Sequence, residues 1–144
     1  MRVVLLGLVL LSCISSFDGR QLPPPTTDIK VDQVGYLPAS PKVAMVVART
    51  ATGTFVVRRA GDGEIVFRGK LSAPAADASS GDSVQTADFT ALKKEGRFYL
   101  EVPSVGVSWS FAIAPDAYSR AFYLAMRSFY GQRCGVAVDL GPEL

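Results

Sequence analysis

Short runs of alternating apolar and polar residues fill most of this chain, and Gly, Pro, Asp and Ser separate one run from the next. From Asp28 onward the interruptions fall at the intervals expected of an all-β sandwich or small barrel. Seven strands are predicted: Ile29 to Tyr36, Lys42 to Arg49, Gly53 to Arg59, Glu64 to Leu71, Asp82 to Phe89, Arg97 to Pro103 and Gly106 to Ala114. In the last of them Val107, Trp109, Phe111 and Ile113 alternate with small residues, which puts four large apolar side chains on one inward face. Phe98, Leu100 and Val102 do the same one strand earlier, with Ser104-Val105 as the hairpin joint. Gly61-Asp62-Gly63 reads as a tight turn between the third and fourth strands, because glycine accepts the positive φ such turns need. A succession of hairpins of this kind stacks as antiparallel sheets.

After Ala114 the period changes. Pro115-Asp116 offers a helix start, and Tyr118, Ala121, Phe122, Ala125, Met126 and Phe129 recur at spacings of three and four up to Gly131. Tyr123, Leu124 and Tyr130 add apolar surface on the other side. A helix apolar over so much of its circumference is patterned for burial among neighbours. The sandwich can cover one side only, so the helix is expected either to leave an apolar surface at or above what a soluble monomer normally shows, as the first element of a further domain, or to pack on the sandwich as a terminal helix.

Composition narrows the rest. The 144 residues hold one ordinary domain with an appendage, and 49% hydrophobic against 19% charged residues is the balance of a folded chain. Fifteen Lys and Arg against thirteen Asp and Glu, scattered without a basic stripe, exclude a nucleic-acid role. Arg2 followed by the apolar run Val3 to Leu11 predicts an export signal over residues 1–17, too short for a membrane span of about 20 residues. Leu10-Leu11-Ser12-Cys13 is similar to a lipoprotein signal, so the protein is expected to be secreted or periplasmic, with lipid anchoring at Cys13 as a variant. Residues 18–27, with Pro23-Pro24-Pro25, read as an extended linker. Cys134 is then the one thiol outside the signal, and no disulfide framework is expected.

No histidine is present, so a Ser-His-Asp triad and imidazole metal ligation are excluded. Cys134 has no base beside it in sequence. Glycosidic hydrolysis needs two carboxylates across the scissile bond. Asp62, Glu64, Asp77, Asp82, Glu95 and Asp116 fall at turns and element ends, where they are expected to be solvated or to cap backbone groups. No catalytic residue and no cofactor are expected in this segment.

Four stretches resemble the N-terminal Ig-like domain of family nine glycoside hydrolases. They are Ile29-Lys30-Val31-Asp32-Gln33-Val34-Gly35-Tyr36-Leu37-Pro38; Ser80 to Val84 with Ala87-Asp88-Phe89-Thr90; Gly96 to Val102; and Ser110 to Ile113 with Tyr118 and Phe129-Tyr130-Gly131-Gln132-Arg133-Cys134-Gly135. The resemblance implies an immunoglobulin-like antiparallel β-sandwich of about seven strands over 28–114. It also implies that 115–144 supplies the first helix of a helical-barrel catalytic domain, and that the chain is the front end of a longer cellulase-type enzyme acting on β-1,4-glucans. Gln33, Gly35, Tyr36, Asp88, Phe89, Tyr118 and Arg133 carry the signature. Gly35 is expected to serve backbone geometry, Tyr36 to cover the sandwich edge or the barrel, and Gln33 to satisfy a buried backbone group. The family's Asp-Ala-Gly-Asp motif does not occur here, and neither does the Cys-His pair that completes a metal site with the equivalent of Cys134. The chain alone is therefore expected to be inactive, with the catalytic barrel as its partner and β-glucan reached only through the whole enzyme. The competing reading is a stand-alone exported carbohydrate-binding or adhesion module, with Tyr36, Tyr99 and Trp109 as a sugar-stacking surface. Against it, the alternation predicts Trp109 to be core.

Overall fold

The computed structural model describes residues 23–47, 53–103 and 105–135, with positions 137, 139 and 141. The expected export signal with Cys13, the start of the linker, the last two residues of the second predicted strand and Ser104 of the predicted hairpin lie outside the described residues.

Nine strands and one helix occur among the described residues: β1 Ile29–Lys30, β2 Val43–Val47, β3 Thr54–Arg59, β4 Ile65–Lys70, β5 Ala75–Ala76, β6 Ser83–Asp88, β7 Gly96–Val102, β8 Gly106–Val107, β9 Phe111–Ile113 and α1 Ser119–Gly131. One sheet runs β1-β2-β6-β5, and the other runs β4-β3-β7-β8 with β9 also on β7, every pairing antiparallel. This is the expected Ig-like sandwich followed by a helix.

The inward faces follow from the period-two pattern. Ala44 and Val46 of β2 and Ala87 of β6 look across at Phe55 and Val57 of β3 and at Phe98, Leu100 and Val102 of β7, with Ile29, Phe89, Phe111 and Ile113 filling the ends of the core. The hairpin between β3 and β4 turns at Gly61-Asp62-Gly63 as expected. Gly63 has φ 72°, its N–H donates to the Arg59 carbonyl at 2.9 Å, and Asp62 accepts from the Glu64 N–H at 3.1 Å.

Three departures have local causes. The first predicted strand is reduced to Ile29–Lys30 and a single bridge at Tyr36, because the Asp32 side chain accepts from the Val34 N–H at 3.0 Å and turns the chain before Gly35. β5 carries no hydrophobic signal: its two alanines are an exposed edge ladder on β6. The last predicted strand is broken into β8 and β9 by a bulge. Val107 pairs with Glu101 and Phe111 with Phe98, so four steps on one strand oppose three on the other. At the irregularity the Ser108 N–H donates to the Leu100 carbonyl at 2.8 Å, and the Ser108 hydroxyl accepts from the Leu100 N–H at 2.9 Å. The hydroxyl thus replaces the ladder acceptor that the bulge removes.

Lys42 is wholly buried, which the sequence did not suggest. Its ammonium donates to the carbonyls of Pro38 and Ser40 at 2.8 Å each, and to that of Leu37 at 3.4 Å. Burial pushes its pKa down, and Lys93 nearby adds to the shift. The side chain closes the loop that carries the chain from Tyr36 into β2.

Gly69 of β4 faces the core, and the ring of Phe55 occupies the space where a Cβ would stand. Gly69→Ala is expected to destabilise the fold by about 1–3 kcal/mol through overpacking. Urea denaturation would measure this, and an unchanged midpoint would refute the close Phe55 contact.

Candidate docking surface

The residues that carry chemistry do not converge. Asp62, Glu64, Asp77, Asp82, Glu95 and Asp116 are all exposed. Asp62 and Glu64 pair with Arg59 at 2.7 and 2.6 Å. Asp77 accepts from the Ser79 N–H at 3.1 Å and the Ser80 hydroxyl at 2.9 Å, and these donors hold its carboxyl below the ordinary range. Asp88 is held low in the same way by Thr90, whose N–H donates to it at 2.9 Å. These are turn and cap roles. Among the described residues no three His, Cys, Asp or Glu side chains group to hold a metal ion. Cys134 is a free, exposed thiol beyond the end of α1. A structural zinc site takes four ligands, so this thiol alone is not one.

What does converge is the loop 32–36 on the passage from β9 into α1. The Tyr36 N–H donates to the Ala112 carbonyl at 2.9 Å, and the Ala114 N–H donates to the Tyr36 carbonyl at 3.0 Å, which adds a parallel bridge beside β9. The Tyr36 backbone therefore closes the sheet edge, while its ring is buried in the core. That ring stands edge-on to Phe89 at 5.2 Å and to Phe111 at 5.3 Å. Its hydroxyl accepts from the Asp32 N–H at 2.9 Å and donates to the Val43 carbonyl at 3.0 Å. Burial is the main reason its pKa is raised. Gly35, at φ 122°, has the Ala112 carbonyl oxygen 2.9 Å and the Ala117 Cβ 3.3 Å from where a Cβ would lie. Only glycine meets both demands. Gln33, expected to satisfy a buried backbone group, is exposed, because the turn at Asp32 directs it away from the sheet.

Beyond the passage, the turn 115–118 precedes α1, so the helix starts four residues later than Pro115 suggested and ends at Gly131 as expected. No residue of α1 is buried, and no strand packs along it among the described residues. Phe122 is 67% and Phe129 68% exposed, and Met126, Tyr123 and Tyr130 are exposed with them. These five lie within one broad arc of the helix. Arg120 and Arg127 stack on the Tyr123 ring at 5.6 and 5.7 Å, and Arg133, beyond the helix, stacks on Tyr130 at 5.5 Å. Segment 118–133 holds three arginines and no acidic residue. The result is an apolar aromatic face edged by positive charge.

A second exposed aromatic lies on the sandwich. Trp109, predicted to be core, is 51% exposed, because the bulge reverses the facing of the strand between Val107 and Phe111. Val107 shares the outer face with Glu101, where Arg58 pairs with that carboxylate, and Phe111 shares the inner face with Phe98. Tyr36 and Tyr99 are buried, so the three aromatics do not form one surface.

Residues 25–107 match the family model described as the cellulase N-terminal Ig-like domain. Endoglucanase D of Acetivibrio thermocellus is 37% identical over 111 residues, covering 77% of this chain and 17% of that protein. A xyloglucan-specific endo-β-1,4-glucanase of Bacteroides ovatus is 35% identical over 115 residues, covering 80% of this chain and 19% of that one. Among solved structures, a metagenome-derived glycoside hydrolase family 9 endoglucanase superposes with a TM-score of 0.65 at 43% identity, over 77% of this chain and 22% of its own. A thermostable endoglucanase of Alicyclobacillus acidocaldarius does so with a TM-score of 0.65 at 27% identity, over 79% and 20%. The chain spans between 17% and 22% of the length of these relatives.

Gly35→Ala is expected to cost about 1–3 kcal/mol through left-handed backbone strain alone, with the clash against the Ala112 carbonyl added. Thermal unfolding monitored by circular dichroism would measure it. A melting temperature equal to that of the unsubstituted chain would show that the close approach is not needed.

Proposed function

The chain belongs to the cellulase N-terminal Ig-like family, and from that membership we propose that it serves a larger secreted endoglucanase-type hydrolase as a non-catalytic module, with α1 as the element that docks on the rest of the enzyme. The observation that carries this is an aromatic helix face with no buried residue, its large side chains between 43% and 68% exposed, on an otherwise well-packed domain. Aromatic side chains bury about 150–250 Å² each, so Phe122, Tyr123, Phe129 and Tyr130 together offer enough area for a protein contact. The enzyme so completed would hydrolyse β-1,4-glucans with carboxylates supplied outside this segment. Export through residues 1–17, with Cys13 as the anchoring variant, belongs to the same reading, and so does a role for Cys134 as one metal ligand in the complete enzyme.

The test is made on the full chain with Phe122→Ser and Phe129→Ser together. Binding of a hydrophobic dye should fall sharply while stability changes by no more than about 0.5 kcal/mol, as for surface positions without contacts. A large loss of stability would mean that α1 packs on the sandwich, and the docking role would be withdrawn.

One observation favours a sugar-binding role beside this, namely the outward indole of Trp109, the only tryptophan of the chain. If that indole stacks on sugar, a soluble β-glucan titration should shift the protein's tryptophan fluorescence saturably, and Trp109→Ala should abolish retention on insoluble cellulose. An unresponsive emission would leave the docking module as the sole reading.

A further inference from the structure

The signature loop does more than close a sheet edge. Its backbone bonds reach only as far as Ala114, and Ala117 then rests against Gly35. The last contact before the helix is made by Tyr118, which occupies the position preceding α1. Its hydroxyl donates to Oδ2 of Asp32 at 3.0 Å, across 86 positions of sequence. Asp32 is itself fixed: its N–H donates to the Tyr36 hydroxyl at 2.9 Å, and its other carboxylate oxygen accepts from the Val34 N–H at 3.0 Å. The acceptor for Tyr118 is therefore pinned to the core through Tyr36, and past Tyr118 no strand among the described residues packs along the helix.

We infer that the Asp32–Tyr118 hydrogen bond is a positioning latch that sets the direction in which α1 leaves the sandwich. Thirteen helical residues form a lever of about 20 Å, so a rotation of about 20° at Tyr118 would carry its far end about 7 Å. One hydrogen bond at the root of the lever thus decides where the aromatic face points. The purpose of the latch rests on reading α1 as a docking helix, whereas the latch itself is a property of this chain alone.

The experiment uses the full chain carrying Cys13→Ser, spin-labelled at Cys134 beyond the helix and at Thr54→Cys on the exposed start of β3. Double electron–electron resonance should give one narrow distance. Tyr118→Phe should widen the distribution by about 5 Å or more, the scale set by the lever length, with an unchanged melting temperature. Asp32→Ala should widen it to the same extent, and the double variant should widen it no further. A distribution already broad in the unsubstituted protein, or one unmoved by Tyr118→Phe, would overturn the latch. Failure of α1 to dock in a complete enzyme would leave these distances as they are, so the two ideas fail separately.

Discussion

Tyr36 holds this structure together because its phenol is buried and must still be satisfied. An unpaired buried hydroxyl costs about 1–3 kcal/mol, and here the Asp32 N–H and the Val43 carbonyl satisfy it from two segments of chain. Meeting that demand fixes the turn at Asp32 relative to the start of β2. The ring then stands edge-on to Phe89, which follows β6 of one sheet, and to Phe111 in β9 of the other. The backbone of the same residue pairs beside β9. One side chain therefore joins both sheets and the exit toward the helix, and Gly35 has to be glycine so that Tyr36 can reach its place.

The bulge in the strand that β9 completes is the second constraint. Without it, Val107, Trp109 and Phe111 would share one face, and an indole would compete with Phe98 and Phe111 for the same core. The extra residue gives the core Phe111 and turns Trp109 to solvent. Ser108 makes the irregularity tolerable by lending its hydroxyl to the Leu100 N–H. With the Tyr36, Phe89, Phe98 and Phe111 rings already packed together, that end of the core has no place for an indole as well.

Period-two reasoning works where the pleat is regular, and there it located β2, β3, β4, β6 and β7, with Phe98, Leu100 and Val102 of β7 facing inward. It fails where a side chain intervenes in the backbone. The Asp32 carboxylate turns the first strand, and the Ser108 hydroxyl supports a bulge in the last. Neither event leaves a trace in hydrophobicity, so Trp109 was expected inside and Gln33 was given a buried partner. The Ig-like sandwich, the glycine at position 35 and the uncovered helix were legible, because each follows from local pattern or motif. The Asp32–Tyr118 bond was not: its two residues are brought together only by the Tyr36 bridge. Lys42 was likewise hidden, since nothing in its neighbourhood of sequence says that three carbonyls will converge on one point.

The helix draws little stability from its own residues. Isolated helices of this length are marginal in water, and most helix stability in proteins comes from packing an apolar face. α1 has no side-chain cap at its start, no acidic residue in its first turn and no basic residue in its last, so the usual sources of intrinsic stability near the termini are missing. The stacking of Arg120 and Arg127 on Tyr123 supplies a modest compensation along one edge. The sandwich, by contrast, is complete without the helix, because its core closes on Tyr36, Phe89, Phe98 and Phe111. The sandwich thus holds the root of a weakly capped helix in a set direction while leaving much of its aromatic face exposed, the arrangement that the proposed docking role requires.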